Sequence, residues 1–230
     1  MTIAGTDPLL IGSAVLPGLL ICWYIYRADR YQHEPKLLLL LAFLSGAVAT
    51  LPIIRLEEWL SQYAPLWQAD RLTELLVRAV FTALSEEVVK FLALLLLFFP
   101  WAFFDEPMDG IVYAVVIAMG FATTENLFYA LEYGLGTSIL RAFTAVPAHL
   151  VFAIIMGYYV GLAKFRARRR NRLLLVGLGL AVATHSVYDL LIFQRFYEGL
   201  IVLAVVFVWL AIYFEQSLIK DHQDHSPFRK

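Results

Sequence analysis

Seven stretches of this chain are long enough and apolar enough to cross a lipid bilayer, and that leaves few folds open. A spanning helix needs about 20 mostly apolar residues, because in hydrocarbon every backbone N–H and C=O must be satisfied within the segment. The runs are roughly Leu9–Tyr26, Leu37–Ile54, Ala79–Phe99, Met108–Tyr133, Ser138–Ala163, Leu173–Phe193 and Leu200–Ile219. Charges and breakers separate them at Arg27–Arg30, Trp67–Arg71, Pro100–Pro107, Gly134–Gly136, Lys164–Arg172 and Gln194–Gly199. Hydrophobic residues are 61% of the 230 and charged ones 16%, against roughly 45–50% and 25% in soluble domains. That much apolar side chain has no place inside a water-soluble fold. The expectation is an all-α polytopic membrane protein, a bundle of about seven transmembrane helices forming one domain over residues 1–230. A soluble enzyme, a disordered chain and a nucleic-acid-binding domain are excluded, and a net charge of −1 agrees, since it attracts no polyanion. The lone Cys22 rules out an internal disulfide or a CxxC metal site.

Orientation is read from Lys and Arg between the spans. With the N-terminus outside, the cytoplasmic segments hold Arg27, Arg30, Lys36, the cluster Lys164–Arg172, Lys220, Arg229 and Lys230. The outer segments hold only Arg55, Arg71, Arg78, Arg141 and Arg195. The expected arrangement in the plasma membrane is therefore N-terminus outside and C-terminus cytoplasmic, with the basic cluster as a topology anchor. The 100–109 loop is the exception, called cytoplasmic yet without a basic residue. The first run lacks the basic start and cleavage site of a signal peptide and reads as a retained span. Arg55–Trp67 mixes acids, aromatics and aliphatics as an interfacial helix or a connecting loop would.

An ionisable group near the bilayer centre costs about 2.5–3.5 kcal/mol by insertion scales, so such groups are rare and usually functional. The third span carries Glu86, Glu87 and Lys90; the fourth Glu125, Asn126 and Tyr129; the fifth Pro147 and His149; the sixth His185 and Asp189. At 1.5 Å per residue, Glu86 lies about 10 Å and His149 about 15 Å from the outer ends of their spans, and His185 about 12 Å from that edge. Glu125, about 25 Å from the inner end, falls in the same half. Four helices of alternating direction thus bring their polar groups to one level, which favours a single buried site over scattered polar residues. Lys90 shares a helical face with both glutamates, at i+4 from Glu86 and i+3 from Glu87. Paired carboxylates in low dielectric suit a general base. His185 and Asp189, at i,i+4, place a carboxylate where it can orient an imidazole. Tyr129 offers Glu125 a hydroxyl, and Pro147 is expected to open its helix near the site. Gly157 and Gly161 form a small-xxx-small packing face.

With Glu86-Glu87-x-x-Lys90, Phe121-x-x-x-Glu125, His149-x-x-Phe152 and His185-x-x-x-Asp189 in order on successive spans, the chain resembles the PrsW-type intramembrane proteases. These look related to the type II CAAX prenyl endopeptidases and the bacteriocin-processing membrane proteases. The resemblance covers a catalytic core of about residues 79–190. It implies that Glu86 and Glu87 activate water and that His149 and His185 complete the site. The prenyl-endopeptidase pattern has an arginine one position after Lys90 and a histidine where this chain has Glu125.

The function expected is hydrolysis of peptide bonds in membrane-anchored protein substrates, anti-sigma-factor-like in the PrsW type. The catalytic set is Glu86, Glu87, Glu125, His149 and His185, supported by Lys90, Asp189, Tyr129 and Asn126. The resemblance implies a glutamic, metal-free protease, and no HExxH is present. Glu125, His149 and His185 are the candidate ligands if Zn2+ is bound. The alternative is a proton- or ion-coupled transporter using the same buried groups, against which there is no inverted repeat.

Overall fold

The computed structural model describes residues 7–63, 71–194 and 199–229. Among these, every regular element is helical: α1 (Pro8–Ala28), α2 (Lys36–Tyr63), α3 (Arg71–Ala93), α4 (Pro107–Tyr133), α5 (Leu135–Phe143), α6 (Ala145–Phe165), α7 (Arg170–Phe193) and α8 (Gly199–Asp224). A π-helical turn, Leu94–Phe98, extends α3, and a 3-10 turn, Ala167–Arg169, leads into α7. Helix starts follow local chemistry. Pro8 occupies the first turn of α1, behind an Asp7 carboxylate that accepts from the N–H of Leu9 at 2.9 Å. At α4, Asp109 reaches back to accept from the N–H of Glu106 at 2.9 Å, with Pro107 between them. The helix ends at Gly134, whose φ of 85° is the left-handed conformation that glycine adopts freely.

The expected all-α membrane bundle is what the structure shows. Six segments are long and apolar enough to cross a membrane, the fourth of them being α5 and α6 taken together. The helix expected as the third span, α3 with its π turn, is long enough but carries Glu74, Arg78, Glu86, Glu87 and Lys90, too many charges to qualify on composition. Two boundaries move. The run from Leu37 does not stop at Ile54; α2 continues through Pro52 to Tyr63, so the first part of the expected interfacial segment is a continuation of the span. Its remainder, 64–67, lies outside the described residues. The run from Ser138 breaks at Thr144 (φ −122°, ψ −73°) into α5 and α6. Pro147 falls in the first turn of α6, where a missing N–H costs nothing. The chain therefore opens three residues before the proline.

At the centre stands α4, buried on all sides from Pro107 to Thr123. Glycine lets its neighbours touch it backbone to backbone. A Cβ on Gly110 of α4 would stand 2.5 Å from the nitrogen and 2.7 Å from the Cα of Gly161 on α6. One on Gly157 would stand 2.7 Å from the Cα of Ile111. Gly46 of α2 meets Ile117, and Gly120 of α4 meets Phe43, in the same way. Further out the polarity is inverted relative to a soluble protein. Leu20 and Trp23 of α1, Leu37 and Val48 of α2, and Val202, Tyr213 and Phe214 of α8 are exposed. Apolar surface in continuous rows of this kind calls for lipid.

Candidate active site

A cleft of about 560 Å³ opens among α2 to α7 in the half of the bundle where the sequence places its charges. Its walls include Glu57, Glu74, Arg78, Thr82, Glu86, Glu125, Tyr129, Arg141, His149, His185, Tyr188 and Asp189. The volume is in the range of small-molecule and peptide sites.

Lys90 is the hub. Its ammonium has three N–H groups and no acceptor, and three partners surround it: Glu87 Oε1 at 2.6 Å, His149 Nδ1 at 3.2 Å and Glu86 Oε2 at 3.4 Å. Since Lys90 can only donate, Nδ1 of His149 accepts, which leaves the proton on Nε2. That N–H donates to Glu125 Oε2 at 3.2 Å. Glu125 is also held by Arg141, whose Nη2 lies 2.8 Å from the same oxygen. On the other side of the hub, His185 Nδ1 lies 2.9 Å from Glu87 Oε1, and its Nε2 faces Asp189 Oδ1 at 3.6 Å. A continuous polar chain thus runs from Arg141 through Glu125, His149, Lys90 and Glu87 to His185 and Asp189. It crosses five helices, with Arg141 and Glu125 partly exposed at its cleft end and the other side chains buried.

The two glutamates do different things. Glu86 lines the cleft, whereas Glu87, one position on, is turned away from it and pinned between Lys90 and His185. Aromatic rings fix the cations. Phe152 stacks on His185 at 4.4 Å between centroids and 16° between planes. Lys90 Nζ sits 4.6 Å over the Phe121 ring. These are the phenylalanines three residues after His149 and four before Glu125, and each reaches a charged group on a neighbouring helix.

The structure therefore brings together Glu86, Glu87, Lys90, Glu125, His149, His185 and Asp189. Tyr129 is at the cleft but supports Arg141 rather than Glu125, its ring centroid 3.9 Å from the guanidinium carbon. Asn126 points elsewhere: its Nδ2 donates to the carbonyls of Ala14 and Ser138, tying α4 to α1 and α5. Sequence reasoning missed Arg141, Glu57, Glu74 and Arg78. A signal was present for two of them, because Glu74, Arg78, Thr82, Glu86 and Lys90 repeat every four residues, an inclined ridge along one helix. Two of the five arginines assigned to outer loops, Arg78 and Arg141, are in fact walls of the cleft.

Two groups have metal-ligand proximity. Glu86, Glu125 and His149 each offer an atom within 4.8 Å of the others, as do Glu86, Glu87 and His185. The expected pair Glu125 and His149 is thus joined by Glu86 rather than by His185, which falls in the second group with Glu86 and Glu87.

A family model described as "PrsW family intramembrane metalloprotease" matches residues 34–214. Among curated proteins, the "Protease PrsW" of Geobacillus kaustophilus is 36% identical over 200 residues, 85% of this chain and 87% of that protein. The "Protease PrsW" of Clostridioides difficile is 33% identical over 93% of this chain and 91% of its own length. That of Bacillus subtilis is 32% identical over 80% and 82%. No solved structure matches. With most of its length matched, and with the acids and histidines of four helices meeting around one lysine, this chain belongs to the PrsW protease family.

Proposed function

We propose that the chain is an intramembrane endopeptidase that hydrolyses peptide bonds in membrane-anchored protein substrates, with Glu86 as the general base. The observation that carries this reading is the division of labour at the glutamate pair: Glu86 meets the cleft, and Glu87 is committed to Lys90 and His185. Relatives named as proteases over nearly the whole chain favour it over an ion-coupled transporter.

In this scheme Glu86 takes a proton from a cleft water as its oxygen attacks the scissile carbonyl carbon. His185, whose Nδ1–H is committed to Glu87 and whose ring is stacked on Phe152, carries a second proton on Nε2, 3.6 Å from Asp189, and donates that N–H to the carbonyl oxygen as negative charge develops there. As the C–N bond breaks, Glu86 returns the proton to the leaving nitrogen. His149 has both ring nitrogens engaged and holds Lys90 and Glu125 in register. Arg141 anchors Glu125 from the far side.

The donor set also suits the divalent ion that the family description implies. Glu86, Glu125 and His149 would hold it in place of their present roles, Glu86 then serving as a ligand rather than as the base and His149 giving up one of its two hydrogen bonds, two carboxylates and an imidazole being a zinc-type set. When bound, such an ion supplies Lewis acidity to water and carbonyl. Zinc content measured on purified wild type against Glu125→Gln reads that contribution directly.

The function is tested by cleavage of a reconstituted membrane-anchored substrate by folded Glu86→Gln and His185→Gln variants. Loss of at least a hundredfold in each is expected. Wild-type cleavage by Glu86→Gln would remove Glu86 from the chemistry and the proposal with it.

A further inference from the structure

The cleft carries more negative charge than the chain answers. Five carboxylates line it, those of Glu57, Glu74, Glu86, Glu125 and Asp189, against two arginines. Both arginines are engaged. Arg141 holds Glu125 at 2.8 Å, and the guanidinium carbon of Arg78 lies 4.9 Å from the centroid of the Phe193 ring. Two of the five acids keep a buried oxygen with no donor, Oε1 of Glu57 and Oδ2 of Asp189. Asp189 is 4% exposed and turns its other oxygen to His185. Among the described residues no Lys or Arg forms an ion pair with either acid. Neither belongs to the two groups with metal-ligand proximity, so an ion held by Glu86, Glu125 and His149 would leave both unanswered.

Glu57 comes from the end of α2 and faces the Thr82 hydroxyl of α3. Thr82 is one turn before Glu86, about 6 Å along the helix. An extended peptide advances about 3.3 Å per residue, so a chain with its scissile carbonyl at Glu86 passes Glu57 about two residues away. Glu57 is half-buried, and its three rotatable bonds let the free oxygen turn to an incoming partner. Phe81 of α3 and Ile192 of α7 add apolar wall against which an aliphatic stem can lie. A peptide N–H would satisfy the free oxygens and leave the excess charge in place. A cation on a flexible apolar stem answers both.

Resting on the reading of Glu86 as the general base, we propose that Glu57 is a specificity-determining residue, which with the charge of Asp189 behind it receives a substrate Lys or Arg about two residues from the bond that is cut. Asp189 also holds His185, so Glu57 is the position at which selection can be separated from chemistry.

The test uses the full chain in detergent and synthetic single-span peptides whose Ala and Ser flanks carry Lys, Arg, norleucine or Glu at one position at a time. Binding is read by fluorescence anisotropy on Glu86→Gln, and cleavage on wild type. At one position Lys and Arg should bind about 10–100-fold more tightly than norleucine, the scale of a hydrogen bond to a charged group. In wild type the same preference should appear in KM rather than kcat. Adding Glu57→Gln should abolish it, and adding Glu57→Lys should transfer it to the Glu peptide. Should Glu57→Lys not fold, the isosteric Glu57→Gln carries the test. Equal binding of Lys and norleucine peptides at every position overturns the proposal, as does a preference that survives Glu57→Gln or a failure of every basic peptide to bind. Basic peptides bound selectively yet never cut by wild type would support the subsite and refute the protease reading. Peptides cut without any selectivity would refute the subsite alone.

Discussion

Replacing Lys90 by methionine asks whether the polar chain is a coupled unit. The change keeps the apolar stem and removes the ammonium that touches Glu87 at 2.6 Å, His149 at 3.2 Å and Glu86 at 3.4 Å. The Lys90 side chain is 4% exposed and that of Glu87 1%, so water cannot take over the lost contacts. Removing one partner of a buried ion pair typically costs about 3–5 kcal/mol, most of it from the charge left behind. At 1.4 kcal/mol per factor of ten, 3 kcal/mol lowers the folded-to-unfolded ratio about 150-fold. Neutralising the stranded partner as well, in Glu87→Gln/Lys90→Met, should recover most of that loss, because a pair removed together is close to neutral. The double-mutant coupling expected is about 2–4 kcal/mol. Reversible unfolding in mixed micelles, followed by the fluorescence of the five tryptophans, measures all four corners of the cycle. A single-variant cost under about 1 kcal/mol, or a double variant as unstable as the two singles summed, would refute the idea that Lys90 is the buried counter-charge.

Arg141→Gln should lower cleavage about 10–100-fold, the usual effect of losing a group that orients a site residue, and Arg141→Lys should recover part of it; full activity in Arg141→Gln would take Arg141 out of the site. Gly110→Ala should cost about 1–3 kcal/mol and reduce cleavage, since its new Cβ forces apart the helices carrying Glu125 and His149, whereas Gly136→Ala, with open space around it, should be silent in the same melts. Burial holds Asp29 at about 8 when folded against an ordinary 3.8, so the folded chain holds a proton that the unfolded chain gives up. That contribution is complete below pH 4 and is lost as pH rises through about 8. Thermal melts from pH 5 to 8.5 should fall in wild type and fall less in Asp29→Asn; equal slopes would contradict this.

The spans and the motif residues were legible because both rest on local rules. Helical length in lipid is a matter of counting apolar residues, and Glu86, Lys90, His185 and Asp189 announce their shared faces at i,i+4. What escaped the sequence is tertiary or sits at an edge. Arg141 looked like a loop charge because nothing in its neighbourhood shows the break at Thr144 that folds α5 beside the cleft. Glu74 and Arg78 precede the point at which α3 becomes continuously apolar, so a search for oily runs cut them off. Asn126, next to Glu125 in sequence, sits 100° round the helix and packs against α1 and α5 instead. The separate tasks of Glu86 and Glu87 follow from which neighbour each meets, and no spacing rule carries that.

The charges of α3 bear on how the protein is made. Glu86, Glu87 and Lys90 leave the ribosome well before Arg141, His149 and His185 exist, so for some hundred residues of synthesis α3 has within itself only part of the pairing it finally enjoys. A helix so charged gains little by entering hydrocarbon alone. Its stable seating waits for α6 and α7, which makes membrane insertion of this chain a cooperative event late in translation rather than a succession of independent spans.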